Sequence, residues 1–115
     1  MKLLDVVNTK FCELDVKELF PHVCVKEVPE KRVRALVNLL KKIAKSPKLD
    51  ISKLSVEIFY DYDSEFITVR DDEADKEVLN LQKISGKWDN SFYDINAKKF
   101  YRAKNNKEFM KILDL

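Results

Sequence analysis

The stretch SVEIFYDYDSEFITVR, residues 55–70, decides the fold class of this chain. Two runs rich in β-branched and aromatic residues, 55–60 and 65–70, flank the polar segment 61–64. Residues of the first kind favour strands, whereas Asp and Ser favour turns. The stretch therefore predicts a β-hairpin with its turn at 61–64.

More strands are expected after this hairpin. Segments 77–84 and 87–93 also have strand composition, with Ser85-Gly86 between them, and a short strand at 99–102 follows a turn at 94–97. Consecutive strands joined by short turns pair antiparallel. The second half of the chain thus predicts an antiparallel sheet of four to five strands.

A long helix is predicted before the sheet. Residues 29–46 carry apolar side chains at spacings of three and four, which is the helical period. Pro29 suits the first turn of a helix, and Pro47 disfavours helical geometry in the residue before it. The helix should therefore begin near Pro29 and end near Ser46.

Three shorter elements complete the prediction. Residues 15–20 indicate a helical turn that ends at Pro21, and residues 22–28 indicate a strand. At the end of the chain, Asn105 precedes Glu108 by three residues, a capping-box-like spacing that predicts a closing helix over 105–113. The order of elements predicts a two-layer α+β domain, with the long helix of the N-terminal half packed on one face of the sheet.

Length and composition predict a single folded domain over residues 1–115. A chain of 115 residues can bury a core without disulfides or metals, and 45% hydrophobic with 37% charged residues is typical of a folded protein. The first apolar run, Leu3-Leu4, is interrupted by Asp5. Because that run is too short for a signal peptide or a membrane span, we expect a cytoplasmic protein with no membrane partner.

Rare residue types argue against several kinds of chemistry. There is one histidine, His22, and no CxxC pair, so the usual zinc spacings cannot be assembled. Gly86 is the sole glycine, which argues against glycine-rich phosphate loops. Cys12 and Cys24 are expected to be buried reduced thiols, and neither has a second base nearby in the sequence. We therefore expect no metal, no cofactor and no enzymatic activity.

Charge is strongly segregated along the chain, although the net charge is only +2. Residues 29–48 carry seven basic side chains against Glu30 alone, and residues 83–111 are again mainly basic. Residues 57–77 are mainly acidic. Segregated charge of this kind is useful for binding a partner of opposite charge.

The acidic stretch 61–77 is open to three interpretations. A calcium loop would match Asp61, Asp63 and Glu65, but no glycine follows at the sharp turn and the twelfth position is Asp72 rather than Glu. A simpler explanation is a hairpin turn and a loop whose charges prevent edge-to-edge pairing with other sheets. The third interpretation is a docking surface for a basic protein, with exposed acids that have no internal partners. The residues predicted for that surface are Asp61, Asp63, Glu65, Asp71, Asp72 and Glu73.

The basic residues support an alternative function. Lys31, Arg34, Lys41 and Lys45 form one polar stripe on the predicted helix, which is either a solvated face or a phosphate-binding surface. Aromatic platforms beside basic residues favour nucleic-acid binding. The second group of candidates is Lys98, Lys99, Tyr101 and Arg102.

The sequence therefore predicts a small non-enzymatic module that binds a protein partner through charge-segregated surfaces. Inhibitors, immunity proteins and viral antagonists are built this way as a class. Nucleic-acid binding is the alternative, and a homodimer is left open.

Overall fold

The computed structural model describes residues 1–115, except for the side chain of Val25. Five strands form one sheet in the order β1-β2-β3-β4-β5, with every neighbouring pair antiparallel. The strands are β1 Leu54–Asp61, β2 Ser64–Asp71, β3 Lys76–Ile84, β4 Lys87–Asp94 and β5 Lys99–Ala103. The hairpin predicted from residues 55–70 is thus confirmed, and so is the antiparallel sheet.

The turns between the strands follow from local backbone chemistry. Ser85 and Gly86 both have positive φ, 50° and 79°, which suits a two-residue turn between twisted antiparallel strands. Between β4 and β5, the Asp94 carboxylate accepts hydrogen bonds from the backbone N–H groups of Asn96 and Ala97. Such short turns keep each strand beside its predecessor.

Four α-helices accompany the sheet: α1 Leu3–Asn8, α2 Val16–Leu19, α3 Glu30–Ile43 and α4 Asn106–Ile112. The predicted long helix is α3, and the predicted helical turn and closing helix are α2 and α4. The Asn105 side chain accepts a hydrogen bond of 2.8 Å from the Glu108 N–H, as its spacing indicated. None of these helices in the described chain has the length and apolar character needed to cross a membrane.

Two local features differ from the sequence-based expectations. The strand predicted over residues 22–28 is wrong, because this segment forms a bend and a 3₁₀ turn at Val25–Glu27. Residues 22–28 pair with no strand of the sheet. The N-terminal residues instead contact the near end of β1, where the Val56 N–H donates to the Met1 carbonyl at 2.8 Å. Helix α1 was not predicted, since a pattern of six residues is too short to show a helical period.

The core lies between the helices and one face of the sheet. Side chains that alternate along the strands, such as Val56, Ile67 and Leu79, are buried together with Leu36 and Leu40 of α3. The side chains between them point to the opposite face, which we call the open face. The predicted two-layer α+β architecture is therefore confirmed.

Candidate protein-binding surface

The open face of the sheet has a polar centre and an apolar end. Strand register places Thr68, Asn80, Ser91 and Arg102 in one row across β2 to β5. Nearer the β1–β2 turn, Phe59 lies directly opposite Phe66, and their ring centroids are 5.8 Å apart. These two aromatic side chains form an apolar cluster at this end of the face, whereas Phe100 of β5, 62% exposed, lies near the other end.

This apolar end continues onto the β1–β2 turn. Ile84 lies two residues along β3 from Gln82, which pairs with Phe66, so the side chains of Ile84 and Phe66 are diagonal neighbours. Tyr62, in the turn, is 91% exposed, Ile84 50% and Phe59 41%. Asp61 and Asp63 stand on either side of Tyr62. We call this set the tip surface; its members are Phe59, Asp61, Tyr62, Asp63, Phe66 and Ile84.

Backbone contacts hold the turn of the tip surface in place. The Asp61 carboxylate accepts a hydrogen bond of 2.7 Å from the Tyr62 N–H. The Asp63 carbonyl accepts one of 2.9 Å from the Ser85 N–H, which joins the β1–β2 turn to the β3–β4 turn. A shallow hollow of about 290 Å³ lies between the two turns. The exposed tyrosine is therefore carried by two linked turns rather than by a free loop.

A partly buried ion pair lies beneath the tip surface, on the helix-facing side of the sheet. Arg32 of α3 donates two hydrogen bonds to the Glu65 carboxylate, at 2.9 and 2.6 Å. The Glu65 side chain is only 9% exposed and that of Arg32 is 34% exposed. Because two parallel hydrogen bonds fix direction as well as distance, this pair anchors the start of β2 to the helix. Glu65 therefore supports the turn from inside and is not part of its outer surface.

The second half of the predicted acidic surface lies at the other end of the hairpin. Asp71 is the last residue of β2, and Asp72 and Glu73 follow it. At the rise of an antiparallel strand, this end of β2 is roughly 23 Å from its start. Asp71 is buried and accepts a hydrogen bond of 2.8 Å from the Ala74 N–H. Glu73 lies 3.4 Å from the Lys53 ammonium.

Asp72 also has internal partners. Its carboxylate accepts hydrogen bonds from the Lys2 ammonium and the Ser55 hydroxyl, and these contacts hold its pKa below the ordinary value. The expectation that all six acids are exposed and without partners is therefore wrong for Glu65, Asp71, Asp72 and Glu73. Asp61 and Asp63 are exposed and belong to no ion pair, although the Asp61 carboxylate accepts a hydrogen bond from the adjacent Tyr62 N–H. Their role in binding stays a prediction.

The acidic side chains of residues 61–77 do not converge on one point where a metal ion could bind. Asp61 lies at one end of the β1–β2 hairpin, whereas Asp71 and Glu77 lie near the other end. Among the described residues, no group of three or more His, Cys, Asp or Glu side chains is arranged to hold a metal ion. The acidic stretch thus supplies surface charge and internal ion pairs.

Of the predicted basic stripe, Lys31, Arg34 and Lys41 lie on α3, whereas Lys45 lies in the turn after its end. Lys31 and Lys45 are exposed. The Lys41 ammonium donates to the Thr9 carbonyl at 3.2 Å, and the Arg34 guanidinium lies over the Phe11 ring at 4.1 Å from its centroid. Arg34 also pairs with Glu30 at 3.2 Å. Two of the four stripe residues are therefore engaged with the protein itself.

The second basic group does not form one platform. Tyr101 and Arg102 are neighbours on β5, so their side chains point to opposite faces of the sheet. The Tyr101 ring stacks against the Phe92 ring at 6.0 Å, and Lys48 and Lys99 each lie near its face. Arg102 forms a paired hydrogen-bond contact with Asp89. Lys98 and Lys99, next to the β4–β5 turn, are exposed.

The histidine and the cysteines are peripheral. His22 is exposed, with its Nε2 atom 3.8 Å from a carboxylate oxygen of Glu57. Cys12 and Cys24 are unpaired, as expected, but they are exposed, so the prediction that they are buried is wrong. Cys12 lies in the short 3₁₀ helix Phe11–Glu13, and Cys24 immediately precedes the 3₁₀ turn Val25–Glu27.

Sequence reasoning missed the apolar part of the tip surface. Phe59, Phe66 and Ile84 belong to runs that were interpreted only as strand formers, and in a strand half of the side chains face away from the core. Strand register could have revealed the cluster, because it places the side chains of all three residues on the same face of the sheet. Whether that face is exposed is known only once the structure shows which face of the sheet the helices cover.

Comparisons with known proteins add no functional information for this chain. No protein-family model matches it, and no curated protein or solved structure is similar to it. Function is therefore inferred from the chain's own surfaces.

Proposed function

We propose that this chain is a non-enzymatic protein-binding domain that holds a basic partner through the tip surface. The observation that carries the proposal is an apolar cluster on the open face, Phe59, Phe66 and Ile84, followed in the adjoining turn by the exposed Tyr62 between two acidic residues. Contiguous exposed apolar patches with polar rims are typical of interaction sites. Tyr is also enriched among the residues that dominate binding energy.

The rigidity of this surface favours binding. Phe59 and Phe66 stand on paired strands, and the turn that carries Tyr62 is hydrogen-bonded to its neighbour through Asp63 and Ser85. The Arg32–Glu65 pair holds the start of β2 from the inside. Side chains that are already ordered lose less entropy when a partner binds.

The charge of the rim indicates the chemistry of the partner. Asp61 and Asp63 are exposed, and neither forms an ion pair with any described residue. Unpaired rim charges steer encounter with an oppositely charged surface and act mainly on the association rate. The complementary partner is a protein with an apolar centre and a basic rim. Inhibitors, immunity proteins and viral antagonists are examples of this mode of action by analogy.

We place this function in the cytoplasm. Two exposed, unpaired cysteines are compatible with a reducing compartment, where thiols stay reduced.

The proposal is tested by affinity capture from an extract of the source organism, with nuclease added to remove nucleic-acid bridges. The bait proteins are the parent, the variant Asp61→Asn/Tyr62→Ser/Asp63→Asn, and a charge-matched control, Asp5→Asn/Glu27→Gln, at exposed acids elsewhere. We expect the parent and the control to capture the same protein and the tip variant to lose it. Capture that persists with the tip variant, or that disappears with nuclease, would reject the proposal.

A further inference from the structure

A second surface, on the helix layer, has the opposite charge. Between α3 and α4 lies an open groove of about 500 Å³. Its apolar lining comes from Leu39, Met110 and Leu115, and its charged lining consists of Lys42, Lys107 and Lys111. Within the described part of the chain, none of these three lysines belongs to an ion pair. Three ammonium groups are thus available around an apolar floor.

The groove selects for a particular kind of occupant. A bulky apolar or aromatic side chain would cover the leucine and methionine side chains, and the flexible Met110 can adapt to its shape. Carboxylates on either side of that side chain would pair with the lysines, and lysine also interacts favourably with an aromatic face. The complementary ligand is therefore an exposed aromatic residue flanked by acids.

This chain itself carries such a segment. In the β1–β2 turn, Tyr62 is 91% exposed and lies between the exposed side chains of Asp61 and Asp63. The turn lies at the end of the β1–β2 hairpin, whereas the groove belongs to the helix layer, on the side of the sheet opposite the open face. We propose that the groove binds the Asp61–Asp63 turn of a second copy of this chain. The inference rests on the proposed function, since it names a partner for the tip surface.

The contact would be head-to-tail. The tip of one copy and the groove of the next are different surfaces, so each added copy presents a free tip and a free groove. Heterologous contacts of this kind close into rings or grow into open chains. One turn in one groove buries less than the roughly 1,600 Å² of a standard interface, so the association should be weak and concentration-dependent.

Complementation between two variants tests the proposal by sedimentation over a concentration series. The tip variant is Asp61→Asn/Tyr62→Ser/Asp63→Asn, and the groove variant is Lys42→Glu/Lys107→Glu/Lys111→Glu. Each variant alone should associate roughly tenfold or more weakly than the parent, because each lacks one half of the contact. Mixed in equal amounts, the two variants should form a one-to-one dimer, because the intact groove of the tip variant can bind the intact tip of the groove variant. Nothing larger should form, because the other two surfaces of that dimer are mutated.

Controls separate this contact from general effects of charge and folding. Lys10→Glu/Lys17→Glu/Lys26→Glu changes the net charge by the same amount at exposed lysines elsewhere and should associate like the parent. Thermal melts of all variants establish that they are folded. Association of the parent should weaken as salt rises, since exposed charge pairs are screened.

A parent that stays monomeric at every concentration, or a mixture that stays monomeric although the parent associates, overturns the inference. Replacing Tyr62 with the photo-crosslinker p-benzoylphenylalanine then tests the proposed function separately, by showing whether the tip surface contacts another protein. A crosslink in the source extract to a different protein leaves the tip surface as a binding site, whereas no crosslink to any protein rejects both proposals.

Discussion

Replacing Glu65 with Gln should destabilise the domain, whereas Asp61→Asn and Asp63→Asn should leave its stability almost unchanged. All three residues belong to the same acidic stretch, but only Glu65 is buried, with two hydrogen bonds from Arg32. Glutamine keeps one oxygen acceptor and turns an NH₂ group toward a guanidinium that can only donate. One of the two hydrogen bonds is therefore lost together with the charge.

The magnitude follows from the degree of burial. A hydrogen bond to a charged group contributes about 1.5–3 kcal/mol to the free energy of unfolding. Arg32 is 34% exposed, so water replaces part of the lost interaction and the cost should lie near the lower end of the range, about 2 kcal/mol. For a domain of this size, that corresponds to a fall in Tm of roughly 6–12 °C. Surface substitutions such as Asp61→Asn are expected to stay within about 0.5 kcal/mol.

Urea denaturation followed by circular dichroism measures these differences, with the combined variant Asp61→Asn/Asp63→Asn as the matched control. A double-mutant cycle with Arg32→Met isolates the pair, because Glu65→Gln should cost much less once Arg32 is absent. If Glu65→Gln costs no more than the control, or costs the same with and without Arg32, the pair does not anchor β2 as the structure indicates.

Three further predictions concern the core, acid stability and nucleic acid. Leu40→Ala, at a fully buried position of α3, should lower the free energy of unfolding by about 2–5 kcal/mol in urea; a loss below about 0.5 kcal/mol would contradict its packing. Because the pKa of Asp72 is lowered in the folded state, its carboxylate stabilises the fold at pH values above the ordinary pKa of 3.8, and this stabilisation is lost as the pH falls through the lowered pKa. Asp72→Asn should therefore flatten the acid side of the stability profile in pH-dependent melts. If the chain binds nucleic acid, affinity should fall steeply with salt and drop in Lys41→Glu/Lys45→Glu; no binding at low salt in a fluorescence-anisotropy titration removes that alternative.

Local patterns in the sequence determined the elements of this fold. The change from helical spacing in residues 29–46 to strand composition after Pro47 is visible without any long-range information, because each period reflects which side of one element is buried. Short turns such as Ser85-Gly86 then favour antiparallel pairing of the strands that they join. Residues 22–28 are an exception, since strand composition produces a strand only when the segment pairs with a neighbouring strand, and this segment pairs with none.

Tertiary structure decided which charges are free. Glu65 and Asp63 are two residues apart and chemically similar, yet one is buried against Arg32 and the other is exposed. Glu65 lies within β2 with its side chain toward the helix layer, whereas Asp63 lies in the turn before β2 begins. The partner of Glu65, Arg32, is 33 residues away in the chain. The tip surface has the same origin, because Phe59, Phe66 and Ile84 come together only through strand register. Composition and periodicity are local properties, whereas the pairing of a charge and the outline of a surface depend on residues that folding brings together.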